Sequence, residues 1–484
     1  MAIGETTPLR SKDALENLPS YTYVTACFAS LNSVNLGFDI GVSSGIGLLI
    51  QEDMDLTDWQ LGFFMGCIQL MAAIGAMCSH EISDRFGRCM TFTFAQVIFL
   101  IGICILGTAY NFSLLILGRL FLGFAIGLSL AIDPMYITEI APGKHRGKLT
   151  TLSEIAINVG IVLGFIVNWC LADLPDGTDW RVMVACGAIL PLTLFVLSIT
   201  VMPESPRWLV ANGRTEEAES ILTKTHPAGE NISSVVEGIR QQIEETKSIL
   251  ELGWQPLLKP DPVTRYLMIV GMGVAFTQQL TGIESIIMYS PEIFKRAGVA
   301  TTHKELFFVT IIMGVLKTLV IVVSACYLDN LGRRPLLILS TVGMSISDFL
   351  LGWAIYVKWS IGAVAGVCSF VTFFSIGIGP VCWLLASEVF PVQIRAKAMS
   401  VATTLNRIAS GFVATTFLPM AGFLTLAGYF WLFSGVIALI FLWTCVYIPE
   451  TKQRTLEQLV KDLGKDILKD EEQAAARAES GAKA

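Results

Sequence analysis

Two short charged loops decide the fold of this chain: DRFGR at residues 84–88 and DNLGRR at residues 329–334. Both loops have the order Asp-x-x-Gly-Arg, and both follow an apolar run. They belong to a set of paired features that recur at an offset of about 245 to 249 residues: these two loops, Glu139 and Arg146 with Glu388 and Arg395, and PES at 203–205 with PET at 449–451. The repetition predicts two related halves within one chain.

The stretches between these loops have the composition of membrane-spanning helices. The 484 residues are 53% hydrophobic and only 15% charged, with a mean hydropathy of +0.64, whereas a soluble domain carries roughly a quarter charged residues. Many of the charges fall in residues 206–265 and 449–484. The rest consists largely of apolar runs of about twenty residues, the length that crosses a bilayer as a helix. We predict twelve such segments, at residues 21–50, 60–78, 90–109, 112–134, 150–171, 181–202, 265–295, 306–328, 335–356, 362–390, 398–425 and 427–448.

The basic residues of the short loops orient these segments. An even number of crossings puts both termini on one side of the membrane, and most Lys and Arg residues of the connecting loops lie on that side. The opposite side carries four exceptions: Lys295, Arg296, Lys304 and Lys358. Because cytosolic loops are enriched in Lys and Arg, both termini are predicted to be cytosolic.

We therefore predict an all-α membrane protein whose twelve transmembrane helices form two pseudo-symmetric six-helix bundles. The N-terminal bundle covers residues 21–202 and the C-terminal bundle covers residues 265–448. A cytosolic segment at 1–20, cytosolic linker helices at 203–264 and a cytosolic tail at 449–484 flank and join them. Transporters built from two parallel halves bind solute near the bilayer midplane, between the halves.

An ordered set of motifs points to a family. The motifs are the two charged loops, PESPR at 203–207, QQLTGI at 278–283, GPVCW at 379–383 and PET at 449–451. With them the chain resembles the sugar porter branch of the major facilitator superfamily over nearly its whole length. Within this branch, three segments are most similar to those of plant-type polyol transporters: TGIE at 281–284, YSPEIF at 289–294 and GVLKT at 314–318. The resemblance implies the major facilitator fold and transport by alternating access.

Ionisable residues inside the apolar runs are the first functional candidates, because each costs about 2.5 to 3.5 kcal/mol at the bilayer centre. Asp39 lies in GFDIG at 37–41, and Arg119 lies near the start of the fourth segment. The resemblance implies that this pair couples proton uptake to transport, since passive members of the branch tend to lack the aspartate. A static ion pair between two helices is the alternative, although a permanently buried pair rarely improves on a hydrophobic contact.

A second group of side chains is predicted to bind the solute. Gln278 and Gln279 offer amide groups that both donate and accept hydrogen bonds, as a hydroxyl-rich solute requires. Glu154, Glu284 and Lys317 stand where the resemblance places amides in hexose carriers, which favours a polyol. Glu284 and Lys317 either contact solute or form a structural bridge with each other. The resemblance adds three positions to this solute site: Tyr289 as a gating aromatic, Trp383 as a stacking platform and Asn406 as a hydrogen-bonding group.

A third group of charged residues lies in the cytosolic loops. Its members are Asp84, Arg85, Arg88, Glu139 and Arg146 in the first half, and Asp329, Arg333, Arg334, Glu388 and Arg395 in the second. Salt bridges among them are predicted to lock the halves when the cavity opens outward and to break when it opens inward. Positive charge placed only for topology would explain the arginines but not the regularly spaced acids.

These features predict a proton-coupled symporter that imports polyols of the sorbitol, mannitol or inositol type, with monosaccharides as further solutes. A hexose transporter, coupled or passive, is the alternative, and a transport-dead nutrient sensor is a more distant one. The chain shows no nucleotide-binding loop, and its four histidines lack metal-ligand spacing, so we predict no cofactor, no metal and no enzyme activity. The net charge of −7 argues against a nucleic-acid partner. A monomer in the plasma membrane is expected, with the vacuolar membrane as the alternative location.

Overall fold

The computed structural model describes residues 18–142, 146–227, 230–250, 255–391 and 394–452. Most of the predicted segment 1–20 and of the predicted tail 449–484 lies outside these ranges. The side chains of two predicted gate residues, Arg146 and Asp329, also lie outside the described part.

Seven helices build the N-terminal half. They are α1 (Ser20–Asp53), α2 (Asp58–Phe86), α3 (Arg88–Gly107), α4 (Phe112–Ile140), α5 (Arg146–Leu171), α6 (Asp179–Cys186) and α7 (Ile189–Thr200). The helices α6 and α7 together form one span, so this half crosses the membrane six times.

The linker and the C-terminal half are helical as well. The linker contains α8 (Pro206–Ala211), α9 (Thr215–Thr225), α10 (Ile232–Leu250) and α11 (Gln255–Leu258). The C-terminal half contains α12 (Pro262–Leu280), α13 (Ile283–Met288), α14 (Ser290–Arg296), α15 (His303–Leu331), α16 (Arg333–Tyr356), α17 (Ser360–Ile376), α18 (Ile378–Val389), α19 (Arg395–Leu424) and α20 (Leu426–Tyr447). Among the described residues, twelve helical segments are long and apolar enough to cross a membrane. The predicted fold class is confirmed.

Two spans of the C-terminal half are interrupted at glycines. Gly282 separates α12 from α13 with a left-handed backbone (φ 84°), and Gly377 separates α17 from α18. Discontinuous helices are a common element of transporter binding sites, because a helix end leaves backbone groups free to meet a polar solute or side chain. Both breaks lie beside predicted solute residues, namely Gln278, Gln279 and Glu284 at the first break and Trp383 at the second.

The repeated PES and PET motifs have the same structural role in both halves. The Glu204 carboxylate accepts hydrogen bonds from the backbone N–H groups of Arg88 (2.8 Å) and Cys89 (3.2 Å), at the start of α3. The Glu450 carboxylate likewise accepts from Arg333 (3.1 Å) and Arg334 (3.2 Å), at the start of α16. Each half thus caps its own third span with a glutamate that follows its sixth span, at the helix end where a negative charge is favoured.

The glycine of each charged loop makes this cap possible. Gly87 and Gly332 have φ angles of 92° and 88°, a backbone conformation that L side chains rarely adopt. A Cβ at either position would also lie 2.4 or 2.9 Å from the capping carboxylate of Glu204 or Glu450. The Asp-x-x-Gly-Arg pattern therefore reflects a backbone requirement as well as charge.

The two halves meet tightly on the side opposite the termini. A Cβ added to Gly66 of α2 would lie 1.9 Å from the Thr415 side-chain oxygen and 2.5 Å from the Gly411 carbonyl oxygen, both on α19. A Cβ added to Gly62, one helical turn earlier, would lie 2.3 Å from the Thr415 carbonyl oxygen. We refer to this α2–α19 contact as the outer seam. Its closeness shows that the structure is closed on the outer side.

Candidate solute and proton site

The structure brings the predicted proton-coupling residues together in the N-terminal half. Arg119 of α4 is fully buried, and its Nη1 lies 3.5 Å from Asp39 Oδ2 and donates a 2.9 Å hydrogen bond to Ser43 Oγ. The guanidinium also lies over the Phe64 ring, 4.2 Å from its centroid. Its Nε and Nη2 have no hydrogen-bond partner among the described residues. The ion pair is therefore long, and the guanidinium is incompletely hydrogen-bonded within the described part of the chain.

A buried ion pair in the C-terminal half involves an arginine that we did not predict. Arg407 Nη1 lies 3.0 Å from Glu284 Oε1, and both side chains are nearly inaccessible to solvent. Ser410 donates a hydrogen bond to the other oxygen of Glu284. Arg407 Nη1 also donates to Gln69 Oε1 of α2 at 3.0 Å, so this residue connects the two halves. The signal was present in the sequence, because Arg407 lies inside an apolar run beside the predicted Asn406.

The predicted amides Gln278 and Asn406 are bonded to the protein itself in this conformation. Asn406 Nδ2 donates to the Ala275 carbonyl oxygen (2.7 Å) and to Gln278 Oε1 (2.9 Å). Asn406 Oδ1 accepts two hydrogen bonds from Arg407, and Gln278 Nε2 donates to Gly379 O at the α17–α18 break (3.1 Å). Every hydrogen-bonding position of the Asn406 amide is thereby used, so in this conformation it positions its neighbours.

Other predicted solute residues keep free bonding capacity. Gln279 is buried, and its Oε1 has no partner among the described residues. Glu154 of α5 is partly buried and interacts electrostatically with Lys317 and Arg407, one on each of two facing helices. Trp383 of α18 is also only partly buried.

Lys317 and Glu284 do not form the mutual bridge that was one alternative. Lys317 Nζ donates a 2.5 Å hydrogen bond to Asn158 Oδ1, and Asn158 Nδ2 donates to the Glu154 carbonyl oxygen at 2.7 Å. Glu284 instead pairs with Arg407. The two charges remain within electrostatic range of each other, but each has a nearer partner.

Tyr289, which was predicted as a gating aromatic, lies on the outer side of this network. It is buried, its hydroxyl donates to the Ala414 carbonyl oxygen of α19 at 2.9 Å, and its ring stacks on Phe417 at a centroid distance of 4.6 Å. Tyr289 therefore ties the interrupted span of α12–α14 to the helix that forms the outer seam.

Ion pairs join the two halves above the outer seam. All the acids are in the N-terminal half and all the bases in the C-terminal half: Glu52 with Lys295 (2.7 Å), Asp58 with Arg296 (3.7 Å), and Asp173 with Lys304. Glu52 also lies 3.3 Å from His303 Nε2, a contact that becomes an ion pair only when the imidazole is protonated. We call this set the outer latch. Three of its bases, Lys295, Arg296 and Lys304, are exceptions to the rule that Lys and Arg are enriched in cytosolic loops. Their ion pairs with acids of the other half explain why these bases lie on the outer side.

The predicted cytosolic gate residues pair within each half. Arg88 bonds Glu139 through two 2.8 Å hydrogen bonds and lies 3.2 Å from Asp84, and Arg333 lies 2.9 Å from Glu388. Arg334 and Arg395 donate to backbone carbonyl oxygens of their own half, and Arg85 lies over the Phe86 ring. On the cytosolic side, the ion pairs between described side chains thus stay inside one half or the linker. The described ion pairs that cross between the halves are those of the outer latch.

Known proteins share this sequence and this architecture. The family model described as "Sugar (and other) transporter" matches residues 25–463. The chain is 40% identical to a protein of Arabidopsis thaliana named "Probable polyol transporter 4", over 90% of this chain and 84% of that protein.

Solved structures of the xylose transporter XylE from E. coli have the same fold. Its inward open conformation superposes with a TM-score of 0.78 at 29% identity, covering 91% of this chain and 99% of that one. A second structure, of the proton:xylose symporter XylE bound to 6-bromo-6-deoxy-D-glucose, superposes with a TM-score of 0.76 at 30% identity. It covers 92% of this chain and 99% of that one.

A twelve-span membrane carrier with two six-span halves and a polar network between them is thus the class that fold and site define. The chain belongs to the sugar transporter family of the major facilitator superfamily, and it is a multi-pass membrane protein.

Proposed function

We propose that this protein imports polyols together with protons by alternating access. The observation that carries the proposal is the buried network of Glu154, Glu284, Lys317 and Arg407 between the halves. Charged groups at this depth are retained only where solute or ions need them. The names of the Arabidopsis relative and of the XylE structures support a polyol solute and a proton as the coupled ion.

Proton coupling follows from the Asp39–Arg119 contact. An ionised Asp39 attracts Arg119 and draws α1 toward α4, whereas a protonated Asp39 releases it. In this way proton binding biases the equilibrium between the two packings of the halves. One charge moving through 100 mV is worth about 2.3 kcal/mol, enough for roughly fifty-fold accumulation before any pH gradient is added.

Solute recognition uses the side chains that keep free hydrogen-bonding capacity. A polyol hydroxyl both donates and accepts, so it can donate to Glu154 or Gln279 Oε1 and accept from Lys317. Hydrogen bonds to charged partners are roughly twice as strong as neutral ones, which favours a flexible chain of hydroxyls over water. Trp383 supplies an apolar face for the C–H surface of the solute. Gln278, Glu284 and Asn406 complete the site by holding Arg407 and the helix breaks in place.

The remaining assignments complete the proposal. The bundles at 21–202 and 265–448 are the two moving bodies, and the cytosolic pairs within each half exchange partners across the halves when the cavity opens outward. The transporter acts as a monomer in the plasma membrane.

Uptake into proteoliposomes tests the proposal. An inward proton gradient should drive accumulation of sorbitol, mannitol or inositol, and adding the polyol should alkalinise the outer medium. Asp39→Asn should abolish accumulation while solute exchange at equal concentrations persists. Asp176→Asn is the matched control, since Asp176 is an exposed acid on the same side that does not belong to the outer latch, and this variant should accumulate solute as the wild type does. Unchanged accumulation in Asp39→Asn removes the coupling claim.

A hexose transporter is the second candidate, because the XylE structures describe a xylose carrier. Competition of glucose, xylose, inositol and sorbitol against a labelled polyol separates the two. Glu284→Asn should leave hexose transport intact and impair polyol transport if Glu284 and Arg407 set the specificity.

A further inference from the structure

Asp133, a buried acid of the N-terminal half, takes no part in the pairs described above. Asp133 lies on α4, in the turn before Ile137, and is 2% exposed. The Ser33 hydroxyl of α1 donates a hydrogen bond to its Oδ2. Its Oδ1 has no hydrogen-bond partner in the described part of the chain. An ionised carboxylate in this position would be buried without a compensating charge, which is strongly unfavourable.

A serine from a third helix adjoins the same carboxyl. Ser153 of α5 is also buried, it interacts with the Asp133 side chain, and its Oγ lacks a hydrogen-bond partner among the described residues. A proton on Asp133 Oδ1 would be donated to Ser153 Oγ. The Ser153 hydroxyl can equally donate to an ionised Oδ1, so this hydrogen bond is available to both forms of the acid. Only a proton on Asp133 removes the buried charge, which no counter-charge among the described residues compensates.

The charged groups on the surrounding helices do not compensate Asp133. On α1, Asp39 lies six residues beyond Ser33, about 9 Å of helix rise toward the outer side. On α4 itself Arg119 lies toward the outer end and Glu139 toward the cytosolic end, and on α5 Glu154 follows Ser153. The charged groups of α2 and α3 that face this side lie at the cytosolic ends: His80, Glu81, Asp84, Arg85 and Arg88. Among the described residues, the side chains that interact with Asp133 are the Ser33 and Ser153 hydroxyls, and none of them is charged. The side chains of Arg146 and Lys148, which precede Ser153 on α5, lie outside the described part of the chain.

We propose that Asp133, Ser33 and Ser153 form a second proton-binding site, occupied in this conformation and separate from Asp39. The site lies on the cytosolic side of Asp39 and next to the candidate solute residue Glu154. It thus occupies a position between the coupling pair and the cytosolic face. The inference does not depend on the solute being a polyol, so it stands or falls separately from the proposed function.

Infrared difference spectroscopy of the purified full-length protein in vesicles tests the site directly. Wild type minus Asp133→Asn should contain the carbonyl stretching band of a protonated carboxylic acid at neutral pH. Ser153→Ala should shift that band to higher frequency, because it removes the hydrogen-bond acceptor of the acid proton. Ser369→Ala is the matched control. Ser369 of α17 bonds Ser347 of α16, both in the C-terminal half, so this change should leave the band in place.

The band should also shrink as the pH is raised, since a proton-binding site must release its proton when the pH is high enough. A difference spectrum that contains only carboxylate bands overturns the proposal, because Asp133 would then be ionised. So does a band that Ser153→Ala does not shift, or one that does not respond to pH over the range in which the protein stays folded. If Asp133→Asn does not fold, Ser153→Ala still decides the question, since it keeps the acid.

Discussion

The Glu284–Arg407 pair offers a quantitative test of how the C-terminal half is built. Glu284→Gln leaves Arg407 buried at 5% exposure with its charge uncompensated. Removing one partner of a buried pair costs about 3 to 5 kcal/mol. Arg407 keeps hydrogen bonds to Gln69 and Asn406, so we expect the lower end, about 3 kcal/mol.

The assay is thermal unfolding of purified protein in detergent. A loss of about 3 kcal/mol corresponds to roughly 6 to 12 °C when the C-terminal half unfolds as a unit, since each kcal/mol shifts the unfolding temperature of a unit of about 150 to 250 residues by about 2 to 4 °C. Arg407→Gln should have a comparable effect, because it leaves Glu284 charged with Ser410 as its remaining donor. The double variant should recover most of the loss, because it contains no unpaired charge.

A surface pair serves as the control. Glu217→Gln removes the Arg214 partner in the linker, where both side chains are about half exposed, and should leave the unfolding temperature unchanged. The reasoning is refuted if the two single losses add in the double variant, since additive effects mean that the charges do not interact.

Two further perturbations test the conformation. Glu52→Lys should weaken the outer latch by about 1 kcal/mol, because it replaces the exposed attraction to Lys295 with repulsion, and Lys295→Glu in that background should restore it. Spin-label distances between the outer ends of α2 and α19 report the change, and no added separation in Glu52→Lys would contradict the latch. Gly66→Val should hold the outer seam open and abolish net transport while solute still binds from outside, since even a Cβ there would lie 1.9 Å from α19. The control Gly435→Ala, whose added Cβ meets nothing within 4 Å, should transport normally. Wild-type uptake by Gly66→Val would show that the seam need not close.

The sequence alone was sufficient for the large-scale architecture. The twelve spans follow from hydropathy, and the two-half organisation follows from three repeated motifs. The contact between Asp39 and Arg119 was also predicted, but from family resemblance, and the structure shows the two residues paired.

The sequence was less informative about which polar groups meet. Hydropathy assigns a residue to a depth in the membrane but does not say which way its side chain faces around the helix axis. Lys317 and Glu284 could therefore be taken as partners, although Asn158 and Arg407 are closer to them. Arg407 was not predicted as a site residue, although a charge inside an apolar run is itself a signal of function.

The bases of the outer latch were visible in the sequence only as exceptions to the positive-inside rule, and the sequence does not show what they pair with. Lys295, Arg296 and Lys304 violated the charge asymmetry of the loops, and each has an acidic partner more than 100 residues away in the other half. Arg296 also pairs with Glu292 of its own helix, at the shorter distance of 2.5 Å. Only the packing of the halves brings these groups together. Such exceptions to a topology rule are therefore useful indicators of contacts between halves.

The glutamates that cap the third span of each half bear on how such a protein could have arisen. Glu204 closes the first bundle and Glu450 closes the second, and neither contact uses a residue of the opposite bundle. A six-span polypeptide would thus already contain its own closing bond, and two copies could have associated before their genes were fused. On that basis, the two halves produced as separate polypeptides should reassemble in a membrane, with the linker acting mainly as a tether.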